Sequence, residues 1–107
     1  MSDLPAFQKP PYNFVHDYAT RVLAHPGSEE NYLRDLIAYD DGHYRAIFDP
    51  AYFVLAEGRT EPSKSQWNTL KKKMKRHHRG VFVFKQHGTT EYADAPHYTI
   101  DFGFFAD

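Results

Sequence analysis

Apolar residues recur at helical spacing in three stretches of the chain and alternate in the others. Phe14, Val15, Tyr18, Ala19, Val22 and Leu23 share one face, which predicts a helix over 14–25, capped by Asn13 and stopped at His25-Pro26-Gly27. A second helix is predicted from Ser28, with Glu29 and Glu30 in its first turn, where the helix dipole favours acid. Its buried stripe would be Tyr32, Leu33, Leu36, Ile37 and Tyr39, and Asp40-Asp41-Gly42 would end it. Residues 43–48 alternate Tyr44, Ala46 and Phe48 with His43, Arg45 and Ile47, the period of a strand. The stretch 51–57 is ambiguous. Asp49-Pro50 and Gly58 punctuate a short helix, but Tyr52-Phe53-Val54-Leu55 has strand composition and favours a strand.

The plainest helix signal covers 64–79. Ser63 and Gln66 form a capping box, and Gly80 supplies a left-handed stop. Residues 81–86 then read as a strand, apolar on both faces and so central in its sheet, broken by His87-Gly88-Thr89-Thr90. The last strand, 98–105, sets Tyr98, Ile100, Phe102 and Phe104 on one face and Thr99, Asp101, Gly103 and Phe105 on the other. The predicted order α-α-β-β-α-β-β gives an α+β domain, an antiparallel sheet of three to four strands with helices packed on one face. Residues 1–12, with Pro5, Pro10 and Pro11, read as an N-terminal arm, and 13–107 as a single domain. A length of 107 residues suffices for one core, and 9 Phe, 8 Tyr and 1 Trp supply much of its area.

Cysteine is absent, which excludes disulfides, thiolate metal sites and a cysteine nucleophile. The start of the chain lacks the basic and apolar runs of a signal peptide, and no apolar run reaches the ~20 residues of a membrane span. A cytoplasmic location is expected. No phosphate-binding glycine loop, nucleophile elbow or paired-carboxylate motif occurs, and neither a cofactor nor a metal is implied.

The formal net charge is -1, but the charges are segregated. Residues 1–62 hold five basic and ten acidic groups, 63–90 hold eight basic groups and no acid, and 91–107 hold four acids. On the helix over 64–79, Trp67, Leu70 and Met74 share a face with one of His77 and His78. Lys72, Lys75, Arg76 and Arg79 lie opposite them at spacing three, four and seven. Such a stripe, ~11 Å long at ~1.5 Å per residue, can meet two or three phosphates. Cations late in a helix also complement its dipole, and lysine-rich faces are often merely solvated.

The leading expectation is a small non-enzymatic protein that holds a nucleic-acid backbone through Lys71, Lys72, Lys75, Arg76 and Arg79, with Lys85 beside them. The segment 79–84 has the outline of the RNA-recognition-motif strand, but Val81 occupies its first aromatic position, and alternating Val and Phe read as core. The alternative is a protein-binding regulator, inhibitor or immunity-type protein that uses the acidic half through Asp35, Asp40 and Asp41. A third reading is a metal-independent ribonuclease, in which pairing of the last two strands brings His87 and His97 together beside Lys85 or Arg79. His87, Asp94, His97 and Asp101 have no spacing that fixes a metal geometry. DNA, RNA or protein as partner, and the oligomeric state, stay open.

Overall fold

The computed structural model describes residues 7–8, 10–25, 27 and 30–105. In chain order these form β1 (Phe7–Gln8), α1 (Tyr12–Val22), β2 (Leu33–Ala38), β3 (His43–Phe48), a 3-10 turn (Pro50–Tyr52), α2 (Lys64–His77), β4 (Val81–Tyr92) and β5 (Ala95–Phe105). The fold is α+β with an antiparallel sheet, as the patterning predicts. Of the predicted arm, residues 1–6 and 9 lie outside the described residues, whereas Phe7 and Gln8 pair with Phe105 and Phe104.

β5 is the spine of the sheet. β4 pairs along one of its edges and β3 along the other, with β1 continuing the β3 side and β2 beyond β3. The alternation of β5 puts Tyr98, Ile100, Phe102 and Phe104 under α1 and α2, all 4% exposed or less. Val15, Tyr18, Ala19 and Val22 come down from α1, and Trp67, Leu70 and Met74 from α2. Phe48 sits edge-on to Tyr52, Trp67 and Tyr98 at 5.8–6.2 Å between ring centres, a geometry that suits the ring quadrupoles. The Tyr18 hydroxyl donates to the Met74 carbonyl at 2.8 Å and so ties α1 to α2 across the core. Burial pushes that phenol's pKa well above its ordinary range.

Three predicted elements are corrected. The second helix is instead β2, paired with β3; its predicted first turn includes Ser28 and Glu29, which lie outside the described residues. The cause is a bulge at Arg34. Leu33 pairs with Phe48 and Asp35 with Ile47, so one extra residue in β2 sets Leu33 and Leu36 on the same core face. A strand with such a bulge reproduces the i, i+3 spacing of a helix. Asp40-Asp41-Gly42 is the loop of this hairpin rather than a helix end: Tyr39 N–H donates to the His43 carbonyl at 3.0 Å, and Gly42 takes φ +95°. Both readings rest on the same left-handed glycine.

The ambiguous stretch is the 3-10 turn followed by irregular chain, not a strand. Asp49 caps it, accepting from Ala51 N–H at 2.8 Å. The strand-like composition of Tyr52 and Phe53 reflects rings inserted into the core from a loop. Finally, β4 is longer than predicted and, among the described residues, pairs with β5 alone, so it is not central. Val81 faces the core, but Phe82 and Phe84 are 42% and 45% exposed on the face that bears no helix. The first helix starts at Tyr12, ahead of its predicted Asn13 cap, and Phe14 is largely exposed.

Two substitutions test this packing. Phe48→Ala is expected to cost about 3–5 kcal/mol in urea unfolding, since a cavity opens among four rings. Ser63→Ala removes the capping bond to Gln66 N–H, 3.2 Å long, and is expected to cost about 1 kcal/mol.

Candidate functional site

α2 carries the basic segment. The Ser63 hydroxyl accepts from Gln66 N–H, and Gln66 Oε1 accepts from Ser63 N–H at 2.9 Å, which anchors the first turn. With Trp67, Leu70 and Met74 buried, Lys72, Lys75 and Arg76 are carried outward and exposed. Lys71 lies half-buried at the margin of that face. Arg79 is exposed but falls in the turn after the helix, so the helical part of the stripe shortens to ~6 Å, one turn. Lys85 lies apart, on the helix-free face of β4 opposite Asp101. Thus the structure brings together three of the predicted cations on one turn of α2, keeps Lys71 and Arg79 beside them, and separates Lys85.

Among the described residues, no Asp or Glu forms an ion pair with any cation of α2; the ion pairs all lie elsewhere. Like charges crowd each other instead. Burial lowers the pKa of His77, and Lys73, Arg21 and Arg76 lower it further. Burial, and then Arg76, also holds Lys73 below the usual lysine range. The positive surface therefore extends from α2 to Arg21 of α1.

Lys73 was not singled out by the sequence pattern. It lies three residues after Leu70, at the border of the buried stripe. Its stem runs inward, and Nζ donates to the Ala24 carbonyl, 5.6 Å from the centre of the Tyr52 ring. This seats it at the back of a cleft of about 430 Å³ between α2 and the 3-10 turn. Tyr52 and Phe53 form its floor, and Thr69 and Arg76 stand on its α2 side. The His25 ring stacks on Tyr52 at 4.7 Å and 6° between planes. Val54, at its mouth, is 81% exposed.

The helix-free face of the sheet holds the other polar cluster. Arg45 grips Asp101 with two hydrogen bonds, Nε to Oδ1 at 2.8 Å and Nη2 to Oδ2 at 3.0 Å, and His87 Nε2 approaches Oδ2 at 3.4 Å. The β4–β5 hairpin curls over this face: Tyr92 donates to Asp35 on β2 at 3.3 Å, and Asp101 is 7% exposed. His87 and His97 lie on one face of the hairpin, opposite Thr99 and Thr90. Their rings are engaged in opposite directions, His87 with Asp101 and His97 Nδ1 with the Ala95 carbonyl at 3.1 Å. Asp94 sits in the hairpin turn, and among the described residues no three acid or histidine side chains converge as a metal site. Of the acidic alternative surface, Asp35 holds Tyr92 and the Leu36 N–H, Asp41 pairs with His43, and Asp40 is exposed.

Comparison with protein families, curated proteins and solved structures finds no match to this chain.

Burial raises the pKa of Asp101, but its hydrogen bonds to Arg45 and then His87, with their charges, outweigh this and hold the carboxyl below its ordinary value. Such a group stabilises above its unfolded pKa, about 3.9, and loses that contribution as pH falls through the folded value. Wild-type stability is therefore expected to drop below about pH 4. Asp101→Asn is expected to cost roughly 2–3 kcal/mol at neutral pH and to flatten the acid limb in pH-dependent urea unfolding.

Proposed function

We propose that this protein is a non-enzymatic nucleic-acid-binding protein that holds the phosphate backbone through α2. Lys72, Lys75 and Arg76 supply the contacts, with Lys71 and Arg79 at their margin. The observation that carries this reading is the absence, among the described residues, of any acidic partner for these cations. The chain has 14 acidic groups, and among the described residues Asp49, Asp41 and Asp101 pair with Arg34, His43, Arg45 and His87 rather than with α2. Unneutralised like charges close together repel one another, and Lys73, Arg21 and Arg76 add to burial, the larger cause, in lowering the pKa of His77. Polyanion binding relieves that repulsion and releases the counterions condensed on the nucleic acid. The basic block is thus better explained by an external anion than by the protein's own acidic segments. Of the acidic alternative surface, Asp35 is half-buried and holds Tyr92, whereas Asp40 and Asp41 stay exposed in the hairpin loop.

Affinity for a duplex is expected to fall with a slope of about -2 to -3 in log K against log salt, for three phosphate contacts. Lys72→Glu with Arg76→Glu is expected to weaken binding by at least ~100-fold at low salt and to bring the slope close to zero. Filter binding across a salt series measures both. Binding by the double variant with the wild-type affinity and slope would exclude α2 as the phosphate surface.

A further inference from the structure

The helix-free face of the sheet has two unlike halves. The half beneath the curled β4–β5 hairpin is polar, with Arg45, Thr99, Asp101 and His87, as a sheet face without a helix layer usually is. The half nearer the end of β5 is aromatic. There Phe105, Phe82, Phe84, His43 and Tyr39 follow one another, with ring centres 5.3, 5.2, 5.6 and 4.3 Å apart. This row crosses the sheet from β4 to the β2–β3 hairpin. Gly103, on the rung between Phe82 and His43, has no side chain to interrupt it. Among the described residues, three of the six exposed large apolar side chains fall in this one row: Tyr39 at 36%, Phe82 at 42% and Phe84 at 45%. Contiguous apolar surface marks a contact site where singly scattered side chains do not.

The two ends of the row carry opposite charge. At the β4 end, the ladder shift after Val83 sets Lys85 opposite Asp101. A regular ladder would set it opposite Ile100, on the helix side, so the bulge turns a lysine onto the aromatic face. Asp101 is already held by Arg45 and His87, and among the described residues no acid pairs with Lys85. At the other end, the β2–β3 loop carries Asp40 and Asp41, both exposed. Asp41 bonds to the His43 ring, which places its carboxylate beside the row.

We infer that this row is a two-fold interface with a second copy of the chain. A two-fold axis along β5 exchanges the flanks of the sheet. The Asp40-Asp41 loop of one copy then meets Lys85 of the other, twice, with the two aromatic rows packed between. The sheets lie face to face, ~10 Å apart. A nucleic acid stacked on the same rings would bring its phosphates toward Asp40 and Asp41. A strand added at the β4 edge would leave the rings uncovered. Self-complementary charge singles out the second copy. The row is short, so the dimer is weak, with a Kd of about 10–100 μM, as suits an interface below ~1,200 Å². α2 lies on the other side of the sheet, so the dimer does not depend on the phosphate reading.

Sedimentation equilibrium between about 1 μM and 1 mM measures the association. Phe82→Ser removes a half-exposed ring from each copy and is expected to weaken it at least ~10-fold. Lys85→Glu is expected to weaken it about 5-fold. Asp40→Lys with Asp41→Asn, in which the asparagine keeps an acceptor for the His43 N–H, is expected to do the same. Mixed in equal amounts, these two charge variants are expected to associate within about 2-fold of the wild type. Their heterodimer pairs opposite charges at both ends, whereas either homodimer pairs like charges. Recovery in the mixture also shows that both variants fold, so the charge variants decide the matter should Phe82→Ser unfold. Lys72→Glu with Arg76→Glu, on the helix side, is expected to leave the association unchanged. Wild type that stays monomeric at the top of the range overturns the interface; if Phe82→Ser then weakens binding of a labelled single-stranded oligonucleotide, the rings serve a nucleic acid instead. Association unmoved by Phe82→Ser, or a mixture of charge variants no tighter than either alone, also overturns it.

Discussion

The pleat of β5 fixes the side of the sheet on which everything else lies. Its even-numbered residues, Tyr98 to Phe104, are the floor on which both helices pack, and its odd-numbered residues carry Asp101 to the opposite side. A slip of one residue would drive Asp101 into the aromatic core and lift Phe102 into solvent, an exchange far outside what a small domain tolerates. The register is held from both flanks. Phe48, Ala46 and Tyr44 sit opposite Tyr98, Ile100 and Phe102, and Val81 and Val83 sit opposite Phe104 and Phe102. Across the helix-free face, Arg45 adds a charged clamp at one rung.

This arrangement explains how the basic helix comes to be free. Trp67, Leu70 and Met74 commit one side of α2 to β5 and to Phe48, and the twist of an α-helix then carries Lys72, Lys75 and Arg76 away from the sheet. The acids described lie off α2, and Asp41 of the hairpin loop, Asp35 of β2 and Asp101 of β5 serve a turn, a hydrogen bond and an ion pair there. Segregation along the sequence becomes segregation in space because the helix separates its two faces. Lys73 marks the boundary: its stem shares the apolar side, and its amine finds a backbone carbonyl.

The elements with one dominant signal were legible from residues alone. α2 had a capping box and a clean apolar stripe, and β5 had strict alternation over seven residues, so both form where patterning predicts, although α2 ends at His77 rather than 79 with no left-handed Gly80, and β5 begins at Ala95 rather than 98. β2 was not legible, because a bulged strand and an amphipathic helix write the same apolar spacing, and pairing with β3 decides between them. The exposed Phe82 and Phe84 misled for a related reason: an apolar run indicates burial on two faces only where a second layer exists, and here the helices cover one. The cations of α2 were readable individually. The cleft was not, since Tyr52, His25 and Lys73 lie far apart in sequence and meet only through the loop that follows β3.

β4 is long, opens on the apolar run Val81–Phe84 and has a single neighbour among the described residues, which would ordinarily make it a template for another chain. Its ladder to β5 shifts between Val83 and Lys85 and again between His87 and Thr90. A foreign strand laid along this edge would lose its hydrogen-bond phase after Val83, before enough bonds had formed to hold it. The irregularities thus make the edge unreadable to a regular strand, while β5, which tolerates them, remains the partner with which β4 is in phase.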